Sequence, residues 1–142
     1  MPVANKDLKD LKVLLVEDDY NTTNLIRRML MDLGVANIFC AENGQKALEV
    51  LGSFEGQDLV NVVLCDWRMP QMTGIDVLKQ IRTCDPDLPF LMITGVADVD
   101  SVVEAKAFDV TAYIKKPFSA GELSKKLRIV QRILRARETQ AA

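Results

Sequence analysis

Histidine is absent from the 142 residues of this chain. Its absence excludes a Ser-His-Asp or Cys-His nucleophile pair, a histidine-ligated zinc site and a phosphohistidine carried by the chain itself. Cysteine is scarce. Cys40, Cys65 and Cys84 are odd in number, widely spaced and form no CxxC pair. That pattern argues against a disulfide framework and for thiols used as small apolar residues in a reducing compartment. No apolar run approaches the roughly 18 residues that a membrane-spanning helix needs. The opening residues, MPVANKDLKDLK, lack the apolar stretch of a signal peptide, so a cytoplasmic protein with no membrane insertion is expected.

A strong charge of one sign is missing too: 18 basic and 20 acidic residues leave a net charge of −2. The whole chain is therefore not built to coat nucleic acid. The balance is uneven, however. Residues 115–142 carry eight Lys and Arg against two Glu, a surplus of six, which leaves a deficit of eight over residues 1–114. With 49% hydrophobic and 27% charged side chains, the length and composition suit one folded domain with a real core.

Two kinds of segment alternate. Short apolar, β-branched runs lie at 13–16, 37–41, 60–65, 90–93 and 111–114. Between them, apolar residues recur at helical spacing. Leu25, Met29, Leu30 and Leu33 mark a first helix, closed by Gly34. Ala47, Leu48 and Leu51 mark a second; Ile75, Leu78 and Ile81 a third, opened by Thr73-Gly74; Val99, Val102, Val103 and Phe108 a fourth. Leu123, Leu127, Val130 and Leu134 form the stripe of a long fifth, with Ser119 as N-cap and Glu122 completing a capping box. This is a (βα)5 pattern, and continuous apolar strands between helices predict a parallel sheet covered on both faces. One domain is expected over about 11–137, after a mobile lead at 1–10 and before a short tail at 138–142.

In such a sheet, sites form outside the carboxyl ends of the strands. The residues just past the apolar runs are Glu17, Asp18 and Asp19, then Asp66, then Thr94, then Lys115 and Lys116. With the first and third strands adjacent, Asp18, Asp19 and Asp66 share one crevice. Clustered carboxylates repel unless a cation sits among them, and an all-oxygen set suits Mg²⁺, with Mn²⁺ as a substitute. Given that ion, Asp66 can attack phosphorus and form an acyl phosphate. Lys116 would neutralise the equatorial oxygens while Thr94 donates a hydrogen bond to one of them. A cis Lys116-Pro117 bond would fix where that ammonium points.

Four motifs in register at the strand ends, VLLVEDD (13–19), LCDWRMPQMTG (64–74), LMITG (91–95) and YIKKPF (113–118), resemble those of response-regulator receiver domains, above all the stand-alone chemotaxis type. The resemblance spans about residues 11–135. It implies the flavodoxin-like fold with strand order 2-1-3-4-5. It also implies phosphorylation of Asp66 by a histidine kinase or histidine phosphotransfer protein, with Mg²⁺ held by Asp18, Asp19, Asp66 and the backbone carbonyl of Arg68. Thr94 and Tyr113 look like the family's switch pair, which would alter the face of the fourth helix, fifth strand and fifth helix and so its contacts with a downstream protein. A monomer or a weak phosphorylation-dependent dimer is expected.

Two positions depart from the commonest pattern. Arg68, two residues past the phosphoacceptor, is bulky, and Val96, two past Thr94, cannot hydrogen-bond. Both flank the path of the hydrolytic water in the family, so slow self-dephosphorylation is expected. Trp67 should be a partly exposed fluorescence reporter of metal binding. The basic fifth helix (Lys125, Lys126, Arg128, Arg132, Arg135, Arg137) is read first as a solvated face, then as a docking surface for an acidic partner or a second copy; no aromatics interleave with its charges to suggest nucleic acid.

Three function classes compete. A phosphoryl-accepting switch, not an enzyme beyond its own phosphorylation and dephosphorylation, fits best. A haloacid-dehalogenase-like phosphohydrolase would share the aspartate, Mg²⁺ and lysine, but its second aspartate is replaced by Arg68 and no cap domain is visible. A receiver-shaped scaffold that is never phosphorylated would not need every active position intact. With about ten residues ahead of the domain and five after it, the expected output is a protein–protein contact.

Overall fold

A computed structural model describes residues 8–52, 59–95 and 99–141. Five strands, β1 (Lys12–Val16), β2 (Asn37–Ala41), β3 (Val62–Asp66), β4 (Phe90–Thr94) and β5 (Ala112–Lys115), alternate with five helices. These are α1 (Tyr20–Asp32), α2 (Gly44–Gly52), α3 (Gly74–Cys84), α4 (Val99–Ala107) and α5 (Ala120–Ala141). All strand pairings are parallel, in the order β2-β1-β3-β4-β5. That is the flavodoxin-like architecture expected from the alternation.

Side chains along each strand point to opposite faces, so every central strand contributes to two cores. Val13, Leu15, Val62, Leu64, Leu91 and Ile93 pack with Ile26 and Leu30 of α1 and Leu123, Leu127 and Val130 of α5. Leu14, Val16, Val63, Cys65, Phe90 and Met92 pack on the other face with Ala47 of α2, Ile75, Leu78 and Ile81 of α3 and Ala105 of α4. Sheet order and helix placement together leave the carboxyl ends of β1 and β3 side by side.

The helix ends follow the local chemistry. Gly34, at φ 94°, closes α1: its N–H donates to Met31 O and that of Val35 to Leu30 O, the paired bonds of a left-handed cap that favours glycine. Thr73 caps α3 through Asp76, with both bonds of a capping box present. Ser119 does the same for α5 through Glu122: Ser119 Oγ accepts from the Glu122 N–H at 3.1 Å.

Three expectations change. Leu25 (57% exposed) and Val103 (61%) face solvent, and Ile26 and Ala105 take the core positions of their helices. Helical spacing alone allowed either phase, and packing against the sheet selected one. Of the cysteines, only Cys65 is buried; Cys40 and Cys84 are free and exposed. Leu8 is fully buried in the first core, three residues ahead of the expected domain start, and α5 continues past residue 137.

Candidate functional site

Asp66 is the last residue of the central strand β3 and is only 6% exposed. Its neighbour across the sheet, β1, runs out at Val16, and the N–H of Glu17 continues the ladder by donating to Ala41 O at 3.1 Å. That extra rung turns the Glu17 side chain inward, where it is buried. Carboxylate oxygens of Glu17, Asp18 and Asp66 all lie within 4.8 Å of one another. From the far side, the backbone N–H of Lys116 donates to Thr94 O at 2.8 Å. Its Nζ donates to Glu17 Oε1 at 3.0 Å and lies 3.3 Å from Asp66 Oδ1. The Lys116-Pro117 peptide is cis.

The gathered set is therefore Glu17, Asp18 and Asp66, and the expected Asp19 is not in it. Asp19 sits at the N-cap of α1, where its Oδ2 accepts from the Thr22 N–H at 2.9 Å and the Thr22 hydroxyl at 2.6 Å. Those bonds hold its carboxyl below the ordinary range. The physical reason is register. Counting carboxylates from the sequence treats 17, 18 and 19 alike, but only backbone pairing decides which one still belongs to the strand and which one starts the helix.

Burial pushes the Glu17 carboxyl up to about 7, reinforced by the charge of Asp66 and offset in part by the Lys116 hydrogen bond. Burial alone would lower the Lys116 ammonium. Its bond to Glu17 and the charges of Asp66 and Glu17 outweigh that, so its pKa is raised. Three carboxylates thus face one ammonium, a surplus of negative charge that calls for a hard cation with oxygen ligands and fits Mg²⁺ better than a soft metal. The cluster borders a cleft of about 410 Å³ lined by Glu17, Asp18, Tyr20, Asn24 and Arg27 among others.

Thr94, Tyr113, Arg68 and Trp67 lie on or just after the strands β4, β5 and β3. Thr94 ends β4, half-buried. Tyr113 in β5 is half-buried, and its hydroxyl donates to Val102 O of α4 at 2.7 Å, with burial pushing its own pKa up. Arg68 is exposed, and Trp67 is half-buried against the second core. Val96 lies outside the described residues.

Two structural residues escaped the sequence reading. A Cβ at Gly74 would lie 2.5 Å from Asp66 O and 3.1 Å from Trp67 Cα, so only glycine lets α3 start against the end of β3. Its N–H donates to Trp67 O at 2.9 Å, fixing the turn behind the carboxylate. Arg82 donates to four backbone carbonyls, those of Phe108, Asp85, Leu88 and Asp109, at 2.8–3.1 Å. It binds the end of α3 to the segments entering β4 and β5. Nothing in the local pattern of either residue signals such long-range roles.

Residues 13–128 match the family model of the response regulator receiver domain. Among curated proteins, the chain is 40% identical over 123 residues to the chemotaxis protein CheY-3 of Vibrio cholerae, covering 84% of this chain and 90% of that one. It is 38% identical over 126 residues to the chemotaxis protein CheY of Pseudomonas aeruginosa, covering 87% and 98%. Among solved structures, Vibrio cholerae CheY4 superposes with a TM-score of 0.75 at 29% identity, over 84% of this chain and 98% of that one. A receiver domain protein of Clostridium thermocellum gives 0.80 at 25% identity, over 91% and 98%. By sequence, by fold and by the acidic pocket at the end of β3, the chain belongs to the response regulator receiver domain family.

Proposed function

We propose that this chain is a phosphoryl-accepting switch of a two-component relay, with Asp66 as the acceptor. The observation that carries the reading is the placement of a buried Asp66 beside Lys116, with Glu17 and Asp18 within ligand distance of it. A carboxylate oxygen of Asp66 attacks the phosphorus of a phosphohistidine on a partner kinase or phosphotransfer protein. The new P–O bond forms as the P–N bond breaks, and the imidazole, already protonated on its other ring nitrogen, takes the bonding pair and leaves as the neutral ring.

Glu17, Asp18, Asp66 and the Arg68 carbonyl are the groups that would hold Mg²⁺. When bound, the ion supplies charge neutralisation at the phosphoryl oxygens. Lys116, 3.3 Å from Asp66 Oδ1, shifts its ammonium to one of those oxygens, and the Thr94 hydroxyl donates to another. The movement of Thr94 loosens the packing beside Tyr113. Rotation of the ring inward then costs the bond to Val102 O and remodels the α4–β5–α5 face for a downstream protein. The chain turns over no external substrate in this reading, and the exposed Arg68 covers the water path so that the phosphoryl group is long-lived.

Treatment with phosphoramidate and Mg²⁺, followed by intact-mass measurement, tests the reading. One phosphoryl group per chain is expected, with none on Asp66→Asn. Labelling of Asp66→Asn equal to wild type overturns it, and sustained turnover of p-nitrophenyl phosphate would favour a phosphohydrolase instead. A half-life of the aspartyl phosphate of only seconds in Mg²⁺ refutes the lifetime argument separately.

A further inference from the structure

The C-terminal ends of α2 and α3 meet at the amino end of the sheet, away from Asp66. Between them opens a cleft of about 200 Å³. Its apolar walls include Leu51 of α2, Ile81 of α3, and Val60 and Leu88 from the segments that lead into β3 and β4. Cys84 and Asp85, at the end of α3, belong to its polar lining. Among the described residues, none from α4, β5 or α5 borders it, so it stands apart from the switch face. Gly74, where α3 meets Asp66, lies about 15 Å away along the helix.

Size and charge together define an occupant. A cavity of about 150 Å³ with apolar walls holds a benzene ring, so this one has room for a ring with a short stem. The charge around it is negative. A helix carries about half a negative charge at its C-terminus, and two helices end here. In α2 no basic residue stands in the last turn. In α3 that place belongs to Arg82, whose guanidinium is spent on four backbone carbonyls. Asp85, Asp87 and Asp109 act on Arg82 from around it and outnumber the cations there, Arg82 and Arg137. Among the described residues the Asp85 carboxylate accepts one hydrogen bond, from the Asp87 N–H at 3.0 Å, and enters none of the ion pairs.

We propose that this cleft binds a small amphipathic cation of the arylalkylamine class, with its ring among Leu51, Val60, Ile81 and Leu88 and its ammonium at Asp85. An aliphatic amine is protonated at neutral pH, as a lysine side chain is. Its ring is removed from water while its charge meets a carboxylate and the carbonyl ends of two helices. A carboxylate of the same shape meets repulsion at the same place, and a neutral alcohol gains only the apolar contact. This site is independent of phosphoryl acceptance at Asp66.

The cleft carries its own reporter. Cys84 and Cys40 are both free and exposed, but only Cys84 lines the cleft. The full chain, with MgCl2 present, is treated with iodoacetamide at rising concentrations of 2-phenylethylamine, and alkylation is read separately at the two cysteines by peptide mass. The expected result is a saturable slowing of at least about fivefold at Cys84 and less than about twofold at Cys40. The neutral 2-phenylethanol should need at least about tenfold more to protect, and 3-phenylpropionate should not protect. Asp85→Asn keeps an acceptor for the Asp87 N–H but loses the charge, and should raise the half-protecting amine concentration at least about fivefold. Leu51→Trp fills the cleft and should abolish protection, with circular dichroism confirming the fold. Absence of protection at Cys84 overturns the proposal, as does equal protection by the alcohol or the carboxylate, or an unchanged response in Asp85→Asn. Protection that appears only in Phe54→Ala also overturns it, since a side chain of the chain itself would then be the occupant. Loss of phosphoryl labelling at Asp66 leaves this result untouched, so the two readings fail separately.

Discussion

Glu17 offers the sharpest test of how the site works. Burial, reinforced by the charge of Asp66, pushes its carboxyl up to about 7. A cation that uses this carboxylate must displace its proton, so proton and metal compete. The sign follows directly. Below pH 7 Glu17 is mostly protonated and the metal binds weakly; above it the carboxylate is free and binding is at full strength. One competing proton with this pKa weakens the apparent affinity roughly tenfold at pH 6 relative to pH 8, about 1.4 kcal/mol. Trp67, half-buried next to Asp66, provides the signal for MgCl2 titrations at pH 6, 7 and 8. Glu17→Gln should bind more weakly at pH 8 and lose most of the pH dependence, while Asp19→Asn, which alters a helix cap, should keep both. Affinities at pH 6 and 8 that agree within twofold in wild type would refute the argument. A larger loss in Asp19→Asn than in Glu17→Gln would refute the assignment of the carboxylates.

Other expectations concern the frame around the site. Gly74→Ala places a methyl 2.5 Å from Asp66 O and should lower stability by about 2–3 kcal/mol as the turn is forced apart; an unchanged urea midpoint would show that the turn yields freely. Arg82→Met removes four bonds to backbone carbonyls and should cost about 2–4 kcal/mol, read as faster hydrogen exchange at the start of β4 and β5 as well as a lower midpoint. Tyr113→Phe loses only the bond to Val102 O, about 1 kcal/mol. Amide exchange in α4 should rise in that variant, and no rise would mean the hydroxyl does not anchor the helix.

Much of the fold was legible because its signals are local. The runs around Val13, Val62 and Phe90 are continuously apolar since both faces of a parallel sheet are covered, and helical stripes such as Leu123, Leu127 and Val130 have one face to bury. Where a stripe was ambiguous by one residue, as with Leu25 against Ile26, the spacing fitted both phases. The same ambiguity reached the site. VLLVEDD carries three acidic residues in a row, and nothing within the heptad says where strand ends and helix begins. The Glu17 N–H bond to Ala41 O and the Asp19 cap on Thr22 settle it, and both depend on partners outside the motif.

The sequence by itself determined the alternation of strands and helices, the aspartate at the end of the third strand, the lysine past the fifth, and the exclusion of every chemistry that needs a histidine on this chain. These are properties of short windows, in which periodicity, caps and residue type suffice. Tertiary structure alone decided which carboxylates meet, that Glu17 is pushed up to about 7, that Gly74 must lack a side chain, and that Arg82 ties together segments 26 and 27 residues away. Burial, close approach and electrostatic coupling are set by distances between groups far apart in sequence, and those distances exist only once the chain has folded.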